Sequence, residues 1–414
     1  MTQIPRDSSP ESTLALLRDG YDFITNRCRH YDTDIFQTRL LMQNTICITG
    51  EEAARLFYDQ TRFIRQGAMP LPLQKTLTGQ DSVQGLDGEA HRVRKALFLS
   101  LMTESSINDI VRRHDAYWDE FIRRWAAQGR IVLFDEMQEM LCRTVCAWSG
   151  VPLQESEVTS RTRQLAAMIN GTGGVGLRHL RARRARAHSE AWATALVDQV
   201  RRGQLKPPAT SALHAVSWHR DEHEQLLPPH IAAVELLNVL RPVVAIAYFV
   251  VFIALSLHRY PQWRQTLQTD DTLVEPFVQE VRRLYAFFPF VAARVKQDFE
   301  WRGYTFPAGT RVLLDLYGTC RDTRTWEAPE EFRPERFRHW DSSLFDLIPQ
   351  GGGDLPHHHR CPGEGLAIAL MKLATRKLTR AMSYDIPEQD LTVDLSRIPL
   401  IPKSRMILDH VRLR

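Results

Sequence analysis

One loop carries most of the information in this chain: residues 350–365, which read QGGGDLPHHHRCPGEG. The loop places Cys361 between a glycine-rich, cation-rich segment and a Pro-Gly step. Glycine lets backbone approach a flat ligand closely, and neighbouring cations lower the pKa of a thiol, which favours the thiolate that binds metals. A helical apolar period follows Pro362, so Cys361 is expected just before a helix N-terminus, where the helix dipole also stabilises negative charge. The loop predicts a thiolate metal ligand, with a buried structural cysteine as the alternative.

Two segments upstream of this loop predict a charge cluster. Residues 280–283 read EVRR, and the i, i+3 spacing puts Glu280 and Arg283 on one helical face. Residues 332–337 read FRPERF and contain Arg336. Together with the cysteine loop, and in this order, these segments resemble the cytochrome P-450 superfamily, which implies that the three charges form a buried triad beneath a haem. Taken alone, a Glu-x-x-Arg pair is more often a solvated pair on a helix surface.

A fourth segment supplies candidate ligands for the haem carboxylates. Residues 87–98 read DGEAHRVRKALF, in which His91 and Lys95 share one helical face. The resemblance implies that both bind haem propionates and neutralise their charge, with His359 as a third propionate ligand and Arg65 as a further cofactor contact. It also implies haem b as the cofactor, with the loop cysteine as the thiolate ligand that favours O–O cleavage. An exposed helix with a stray His and Lys is the alternative for this segment alone.

Length and composition favour one soluble domain. The chain has 414 residues, enough to bury a substantial core, and the motifs between residues 87 and 364 point to a single site, so we expect one haem-thiolate domain over 1–414. A net charge of +4 gives no reason to expect a nucleic-acid partner. The first residues are polar, so neither a signal peptide nor an N-terminal anchor is expected. Six scattered cysteines fit a reducing, cytoplasmic compartment and have no zinc-ligand spacing.

Two stretches of the sequence resemble a membrane-spanning helix and a dinucleotide-binding loop. Residues 236–257 are almost wholly apolar and long enough to cross a bilayer, but they contain Arg241 and Pro242, which are costly in lipid and in a regular helix. We therefore expect a buried core helix and no membrane span. Residues 171–176 read GTGGVG, a dinucleotide-type glycine pattern, but they follow a helical stretch where that motif requires a strand. A flexible loop followed by a basic, solvated helix start is expected there.

Hydrophobic periodicity predicts a mainly α fold with small β-sheets. The longest helical patterns cover residues 107–127, 132–148, 187–202, 231–257 and 276–285. Strand-like segments cover residues 45–49, 292–296, 305–306, 311–316 and 406–411. The resemblance to the cytochrome P-450 superfamily implies the haem-thiolate fold of that superfamily.

The central helix departs from the oxygen-activating members of that superfamily. Those members offer an acid followed by a threonine above the iron, whereas residues 236–245 here read LLNVLRPVVA. An arginine in an apolar helix needs a partner, because a buried unpaired charge is very costly. A carboxylate-bearing ligand supplies one with two parallel hydrogen bonds, and pairing of Arg241 with Glu235 of the protein is the alternative.

The Arg241-Pro242 step resembles the fatty-acid peroxygenase branch of bacterial haem-thiolate enzymes. Residues 95–103, 346–353 and 387–391 match that branch too. The resemblance implies that hydrogen peroxide and a long-chain fatty acid are the substrates and that no redox partner protein is required. Arg241, Pro242 and Gln84 are the implied catalytic residues. The fatty-acid carboxylate, anchored on Arg241, is implied to act as acid and base in peroxide activation.

The implied product is a 2- or 3-hydroxy fatty acid. Hydroxylating enzymes of the branch tend to carry Gln at the position of Gln84, and alkene-forming enzymes tend to carry His. A decarboxylase that gives terminal alkenes is therefore one alternative. A conventional reductase-dependent monooxygenase is a second, and a haem-dependent fatty-acid sensor or carrier is a third.

Four residues are candidates for the lining of the substrate pocket. Thr78 and Thr172 stand where phenylalanines are expected from the branch, which predicts a larger and more polar cavity. Phe287 and Phe288 are candidate apolar lining, although phenylalanines at such spacing are more often part of a core.

Overall fold

The computed structural model of the protein describes residues 3–174, 176–341 and 343–414. Helices make up most of the fold and the strands form small sheets, so the predicted fold class, mainly α with small β-sheets, is confirmed. Within the glycine-rich segment 171–176, Val175 lies outside the described residues.

The helices follow one another along most of the chain. In its first half the α-helices are α1 (Thr13–Asp19), α2 (Phe23–Tyr31), α3 (Glu51–Phe57), α4 (Leu71–Leu73), α5 (Gly88–Ser100), α6 (Glu104–Gln128), α7 (Leu133–Ser149), α8 (Val158–Asn170) and α9 (Leu177–Arg201). In its second half they are α10 (Ala212–Trp218), α11 (Pro229–Arg259), α12 (Pro261–Thr269), α13 (Val274–Leu284), α14 (Leu316–Thr319) and α15 (Glu364–Arg376). A π-helical turn (Gln74–Thr78) and a 3₁₀ turn (Val83–Gly85) lie between α4 and α5.

The strands form three small sheets in the described residues. They are β1 (Ile35–Leu40), β2 (Gln43–Ile48), β3 (Phe63–Ile64), β4 (Arg130–Val132), β5 (Phe290–Val295), β6 (Phe299–Trp301), β7 (Tyr304–Phe306), β8 (Arg311–Asp315), β9 (Met382–Asp385) and β10 (Ile407–Leu413). The largest sheet has the order β1-β2-β8-β5-β3, in which β2 and β8 are parallel and the other pairs antiparallel. The other two are β4-β10-β9 and the hairpin β6-β7.

Helix α11 runs through the core of the protein. Its residues are apolar on all sides, and a helix with this pattern is stable when it is buried all round. It packs against α7, α8, α9 and α15. Among the described residues, α11 is the one helix long and apolar enough to cross a membrane, but 94% of its most apolar stretch is buried inside the protein. The structure thus has the buried core helix that the sequence predicts.

Helix α9 differs from its sequence-based prediction. The expected basic, solvated helix start at 178–186 and the helix predicted after it form one continuous helix. Arg186 is buried: it donates to the carbonyl oxygens of Leu77 (2.9 Å) and Thr78 (3.3 Å) and pairs with Glu190 (2.6 Å). The prediction of a solvated segment is wrong at Arg186 because acceptors inside the protein satisfy its guanidinium.

Gly171 follows the end of α8, at a point where α9 passes very close. A Cβ atom at Gly171 would lie 2.2 Å from the Cβ atom of Ala182 on α9, far inside van der Waals contact. The first glycine of the dinucleotide-like pattern is therefore explained by helix packing.

We expect Gly171→Ala to destabilise the protein by about 1–3 kcal/mol, the usual cost of overpacking a tight contact. The double variant with Ala182→Gly should unfold at a higher temperature than Gly171→Ala, because it removes the facing methyl group. Thermal unfolding of the purified proteins measures this, with Ala182→Gly alone as the control. A double variant no more stable than Gly171→Ala would show that the contact between the two helices is not the reason for the glycine.

Candidate active site around Cys361

Cys361 lies in a loop that ends at the N-terminus of α15. Its backbone N–H donates to the carbonyl oxygen of Gln350 (3.0 Å), and its carbonyl oxygen accepts the N–H of Glu364 (3.3 Å), the first residue of α15. The cysteine thus has the position that its sequence context predicts, just before a helix N-terminus.

Two glycines fold this loop back on the protein. Gly351 and Gly353 have φ angles of 94° and 82°, which residues with a side chain rarely adopt. A Cβ atom at Gly353 would come within 2.6 Å of the His358 ring, and one at Gly351 within 3.1 Å of the Tyr58 hydroxyl. These glycines permit a close approach to the protein's own side chains, and the predicted approach of the loop to a flat ligand stays a prediction.

Burial has the largest effect on the pKa of the Cys361 thiol. The sequence predicts that nearby cations lower the pKa of this thiol, but in the structure burial raises it and Glu364 adds to the rise. The Gly363 N–H, Lys95 and Arg282 oppose this change without overcoming it. The predicted effect of the cations is present, but burial outweighs it in the thiol by itself. A metal ion bound to the sulfur removes the proton outright.

A buried ion pair joins the cysteine loop to α13. Arg282 of α13 pairs with Glu364, and its Nε donates to the Gln350 side chain (3.1 Å). Arg360, next to the cysteine, binds the other carboxylate oxygen of Glu364 (2.6 Å). Sequence analysis missed this pair. The EVRR segment contains Arg282, but only the fold shows that Arg282 turns to the cysteine loop while Arg283 turns to Glu280.

Glu280, Arg283 and Arg336 come together in the structure. Nε and NH2 of Arg283 bind the two oxygens of Glu280 (2.7 and 2.8 Å), and Arg336 approaches the same carboxylate at 3.4 Å. The side chains of Glu280 and Arg283 are fully buried. Arg283 also donates to the carbonyl oxygens of Cys320 and Pro329. The triad thus ties α13 to the segment that follows β8, with its charges and donors satisfied by the protein.

Four basic side chains expected to bind the cofactor lie together. The rings of His91 and His359 stack with their centroids 3.8 Å apart. Burial, and then the charges of Lys95 and Arg65, lower the pKa of His91 to about 4. Burial and the same two cations lower the pKa of His359 well below its usual value. Among the described residues, no carboxylate forms a salt bridge with any of the four.

Lys95 and Arg65 are held by the protein backbone in this cluster. The Lys95 ammonium donates to the carbonyl oxygens of His358 (2.7 Å) and Arg360 (2.5 Å), so it contacts the cysteine loop directly. Arg65 donates to the carbonyl oxygen of Ala292 (3.2 Å). Cations grouped beside Cys361 without a carboxylate in salt-bridge contact fit a cofactor that brings its own carboxylates. Haem, with two propionates and an iron for the thiolate, fits this set of donors.

Arg241 is a buried charge on α11. It is 6% exposed, its NH2 donates to Asn238 Oδ1 (3.3 Å), and its Nε has no hydrogen-bond partner among the described residues. Burial, and then the charge of Arg186, lower the pKa of Arg241 to about 9, and Cys361 opposes this change. Because Arg241 and Cys361 interact through space, both side chains belong to the same interior region. A guanidinium in this state is suited to bind an anion.

Glu235 is not the partner of Arg241. Its carboxylate accepts hydrogen bonds from Arg94 NH1 (2.8 Å), from the backbone N–H of Val83 (2.9 Å) and from Asn238 Nδ2 (3.0 Å). The Glu235–Arg241 pair that the sequence left open is therefore wrong, because Arg94 takes the place of Arg241. Arg94 and Asn238 are further residues that sequence analysis missed, since no pattern in the chain links them to Glu235.

The other two implied catalytic residues lie next to this group. Gln84, in the 3₁₀ turn, accepts a hydrogen bond from Asn238 Nδ2 (3.4 Å). Pro242 follows Arg241 inside α11 and has no N–H to donate to the carbonyl oxygen of Asn238, one turn earlier.

Two of the four candidate lining residues are buried and two are half-buried. Thr78 and Thr172 are both buried, and Thr172 Oγ1 has no hydrogen-bond partner in the described part of the chain. Phe287 packs edge to face on Phe288, with ring centroids 4.8 Å apart, and on Tyr248, at 5.4 Å. The described contacts of Phe287 are thus with aromatic side chains, and its role as substrate lining stays a prediction.

Comparisons with known proteins agree with this geometry. The family model described as Cytochrome P450 matches residues 258–407. The fold superimposes on P450SP alpha (CYP152B1) with a TM-score of 0.96 and 47% identity, over 98% of this chain and 100% of that one. P450EX alpha (CYP152N1), solved with myristic acid, gives a TM-score of 0.97 and 43% identity over 100% of both chains. An OleT variant, solved with arachidonic acid, gives 0.97 and 34% over 100% of this chain and 99% of that one.

Matches to curated sequences are shorter. Cytochrome P450 71A8 of Mentha piperita is 30% identical over 149 residues, and the alignment covers 34% of this chain and 29% of that protein. A menthofuran synthase of the same plant is 35% identical over 135 residues, or 30% of this chain and 27% of that protein.

The fold, the cysteine loop and the cation cluster define a haem-thiolate protein. The chain belongs to the cytochrome P450 superfamily, in the bacterial fatty-acid peroxygenase branch, as its sequence predicts. The cofactor of this family is haem b with a cysteine thiolate as axial ligand, and in this chain the loop cysteine is Cys361.

We expect Glu280→Gln to destabilise the protein by about 3–5 kcal/mol, because it leaves the Arg283 guanidinium buried without a counter-charge. Glu275→Gln on the same helix is the matched control: Glu275 pairs with Lys372 at the surface, and such pairs contribute about 0–1 kcal/mol. Thermal unfolding of the haem-loaded proteins compares the two. Equal melting temperatures for both variants would show that the buried triad does not stabilise the fold.

Proposed function

We propose that this enzyme uses hydrogen peroxide to hydroxylate long-chain fatty acids at Cα or Cβ, without a redox partner protein. The observation that carries the proposal is Arg241, which is buried, has no carboxylate partner among the described residues and interacts with Cys361. A carboxylate fits such a guanidinium with two charge-assisted hydrogen bonds. The neighbours solved with myristic and arachidonic acids support a fatty acid as the ligand.

Cys361 would ligate the haem iron, and the cluster of Arg65, His91, Lys95 and His359 would bind the propionates. When bound, haem with a thiolate ligand supplies an iron centre that activates peroxide for oxygen insertion into a C–H bond. Glu280, Arg283 and Arg336, with the Arg282–Glu364 pair, would hold the cysteine loop in place for this ligation.

Arg241 would hold the fatty-acid carboxylate and keep it ionised by its positive charge. The anchored carboxylate can then accept a proton from peroxide and return it to the leaving oxygen, which replaces the acid and threonine absent from residues 236–245. Acid–base assistance of this kind contributes about 10²–10⁴-fold to a rate. An anchor on the carboxylate also keeps Cα and Cβ nearer the reacting centre than the rest of the chain. Pro242 shapes the helix at this point by removing one backbone donor.

Gln84 favours hydroxylation over loss of CO2. An amide can donate and accept hydrogen bonds but does not take up a proton near neutral pH, whereas the His of alkene-forming relatives can. The part of the pocket that holds the substrate tail is proposed to be lined by Thr78, Thr172, Phe287 and Phe288. We further propose that residues 1–414 form one domain and that the enzyme works in the cytoplasm.

We expect Arg241→Ala to lose nearly all peroxide-driven turnover of tetradecanoic acid, by about 10²-fold or more, while haem stays bound. Arg181→Ala, an exposed arginine on α9, is the matched control and should keep wild-type turnover. Product formation is followed by mass spectrometry and haem content by absorbance. In the wild-type enzyme, a short-chain acid that fills the Arg241 site should allow oxidation of a neutral substrate such as styrene.

Unchanged turnover in Arg241→Ala would remove Arg241 from the mechanism. Failure of the short-chain acid to support styrene oxidation would rule out the substrate carboxylate as the acid–base group.

A further inference from the structure

A chain of polar side chains runs through the interior from α5 to Arg241. Arg94 NH1 donates to Glu235 Oε1 (2.8 Å), Asn238 Nδ2 donates to Glu235 Oε2 (3.0 Å), and Arg241 NH2 donates to Asn238 Oδ1 (3.3 Å). All four side chains are buried, and Glu235 is fully so. An unsatisfied polar atom is costly in such surroundings, so the direction of each hydrogen bond matters.

The donor and acceptor types of these four side chains allow only one orientation of the Asn238 amide. Burial raises the pKa of Glu235, and Asn238, Arg94 and the Val83 N–H oppose this rise by stabilising the ionised form. The ionised carboxylate, paired with Arg94, accepts and does not donate, and a guanidinium donates and does not accept. Asn238 stands between Glu235 and Arg241, so its NH2 group must face the carboxylate and its oxygen must face the guanidinium. An amide turned by half a rotation would set acceptor against acceptor at Glu235 and donor against donor at Arg241.

Gln84 receives its orientation from the same amide. Asn238 Nδ2 also donates to Gln84 Oε1 (3.4 Å), so the NH2 group of Gln84 is directed away from Asn238. The backbone N–H of Val83 donates to Glu235 Oε1 (2.9 Å), which ties the 3₁₀ turn that carries Gln84 to α11. On its free side, Gln84 therefore offers a donor.

We propose that Glu235 is a positioning residue for substrate binding. Glu235 accepts a hydrogen bond from the NH2 group of Asn238. The oxygen of the same amide therefore faces Arg241. Arg94 holds Glu235 in place, and neither residue has a hydrogen bond or salt bridge with Arg241 among the described contacts, so both act through Asn238. Asn238 in turn holds one guanidinium nitrogen, NH2, and no described residue accepts a hydrogen bond from the other two nitrogens of Arg241. This inference rests on the proposed role of Arg241 as the anchor.

The test is a titration of the haem-loaded enzyme with tetradecanoic acid, followed by the change in haem absorbance that accompanies substrate binding. Glu235→Gln keeps the size of the side chain but can donate as well as accept, so it no longer fixes the Asn238 amide. We expect its Kd for the acid to rise about tenfold or more. Glu235→Asp, which keeps a group that only accepts, should recover part of the affinity. Glu300→Gln, at an exposed position of β6, should leave the Kd unchanged.

Two further measurements separate positioning from mere stability. Imidazole, which binds haem without using Arg241, should bind wild type and Glu235→Gln equally. Asn238→Asp places a carboxylate beside Arg241 and should weaken binding of the acid at least as much as Glu235→Gln does. A wild-type Kd for the acid in either Glu235→Gln or Asn238→Asp would overturn the inference, and Asn238→Asp decides the question alone if Glu235→Gln does not fold.

Titration of Arg241→Ala with the same acid distinguishes a failure of the proposed function from a failure of the positioning role of Glu235. If Arg241→Ala binds tetradecanoic acid as wild type does, the anchor itself is wrong and the proposed function fails with it. If Arg241→Ala loses affinity while Glu235→Gln keeps it, only the positioning role of Glu235 fails.

Discussion

The positive charge of a guanidinium buried in an apolar helix needs a counter-charge. In this protein the described residues do not supply a carboxylate for it. Helix α11 must be buried because it is apolar on every side, and Arg241 is carried into the core with it. The nearest acid on the helix, Glu235, is already engaged by Arg94, and Arg186 adds a second positive charge to the region. The site thus favours a ligand that brings its own carboxylate, and the catalytic proposal follows from that one electrostatic requirement.

The charged clusters of this enzyme fall into two kinds. Those around Glu280 and Glu364 are closed: carboxylates and backbone carbonyls of the protein meet the arginines, which joins α13, α15 and the cysteine loop into one support. Those around His91 and Arg241 are open, since no carboxylate of the described residues forms a salt bridge with their side chains. Closed clusters hold the fold, and open clusters mark where haem and substrate carboxylates are proposed to bind. The presence or absence of a carboxylate partner is visible only in the structure. It distinguishes the arginines that stabilise the fold from those proposed to bind ligands.

Local patterns in the sequence were enough for much of this account, and long-range contacts explain the rest. Periodicity predicted α11 and most long helices, but it placed Val132 in a helix, whereas Val132 pairs with Ile407 in a sheet. Cys361 and Arg241 stand out because their neighbours in the chain are informative. Asn238 and Arg282 do not, because their partners lie on other turns or elements and only folding brings them together. The sequence predicted the effect of the cations on the pKa of Cys361 but not the larger effect of burial, since burial is a property of packing.

The measurement that tests the central claim most directly is product analysis with hydrogen peroxide as the sole oxidant. Haem-loaded enzyme is mixed with either tetradecanoic acid or 1-tetradecanol, which differ only in the group offered to Arg241, and the products are identified by mass spectrometry. The account predicts 2- or 3-hydroxytetradecanoic acid from the acid and no product from the alcohol. Equal oxidation of both substrates, or oxidation that appears only when a reductase and NADPH are added, would contradict it.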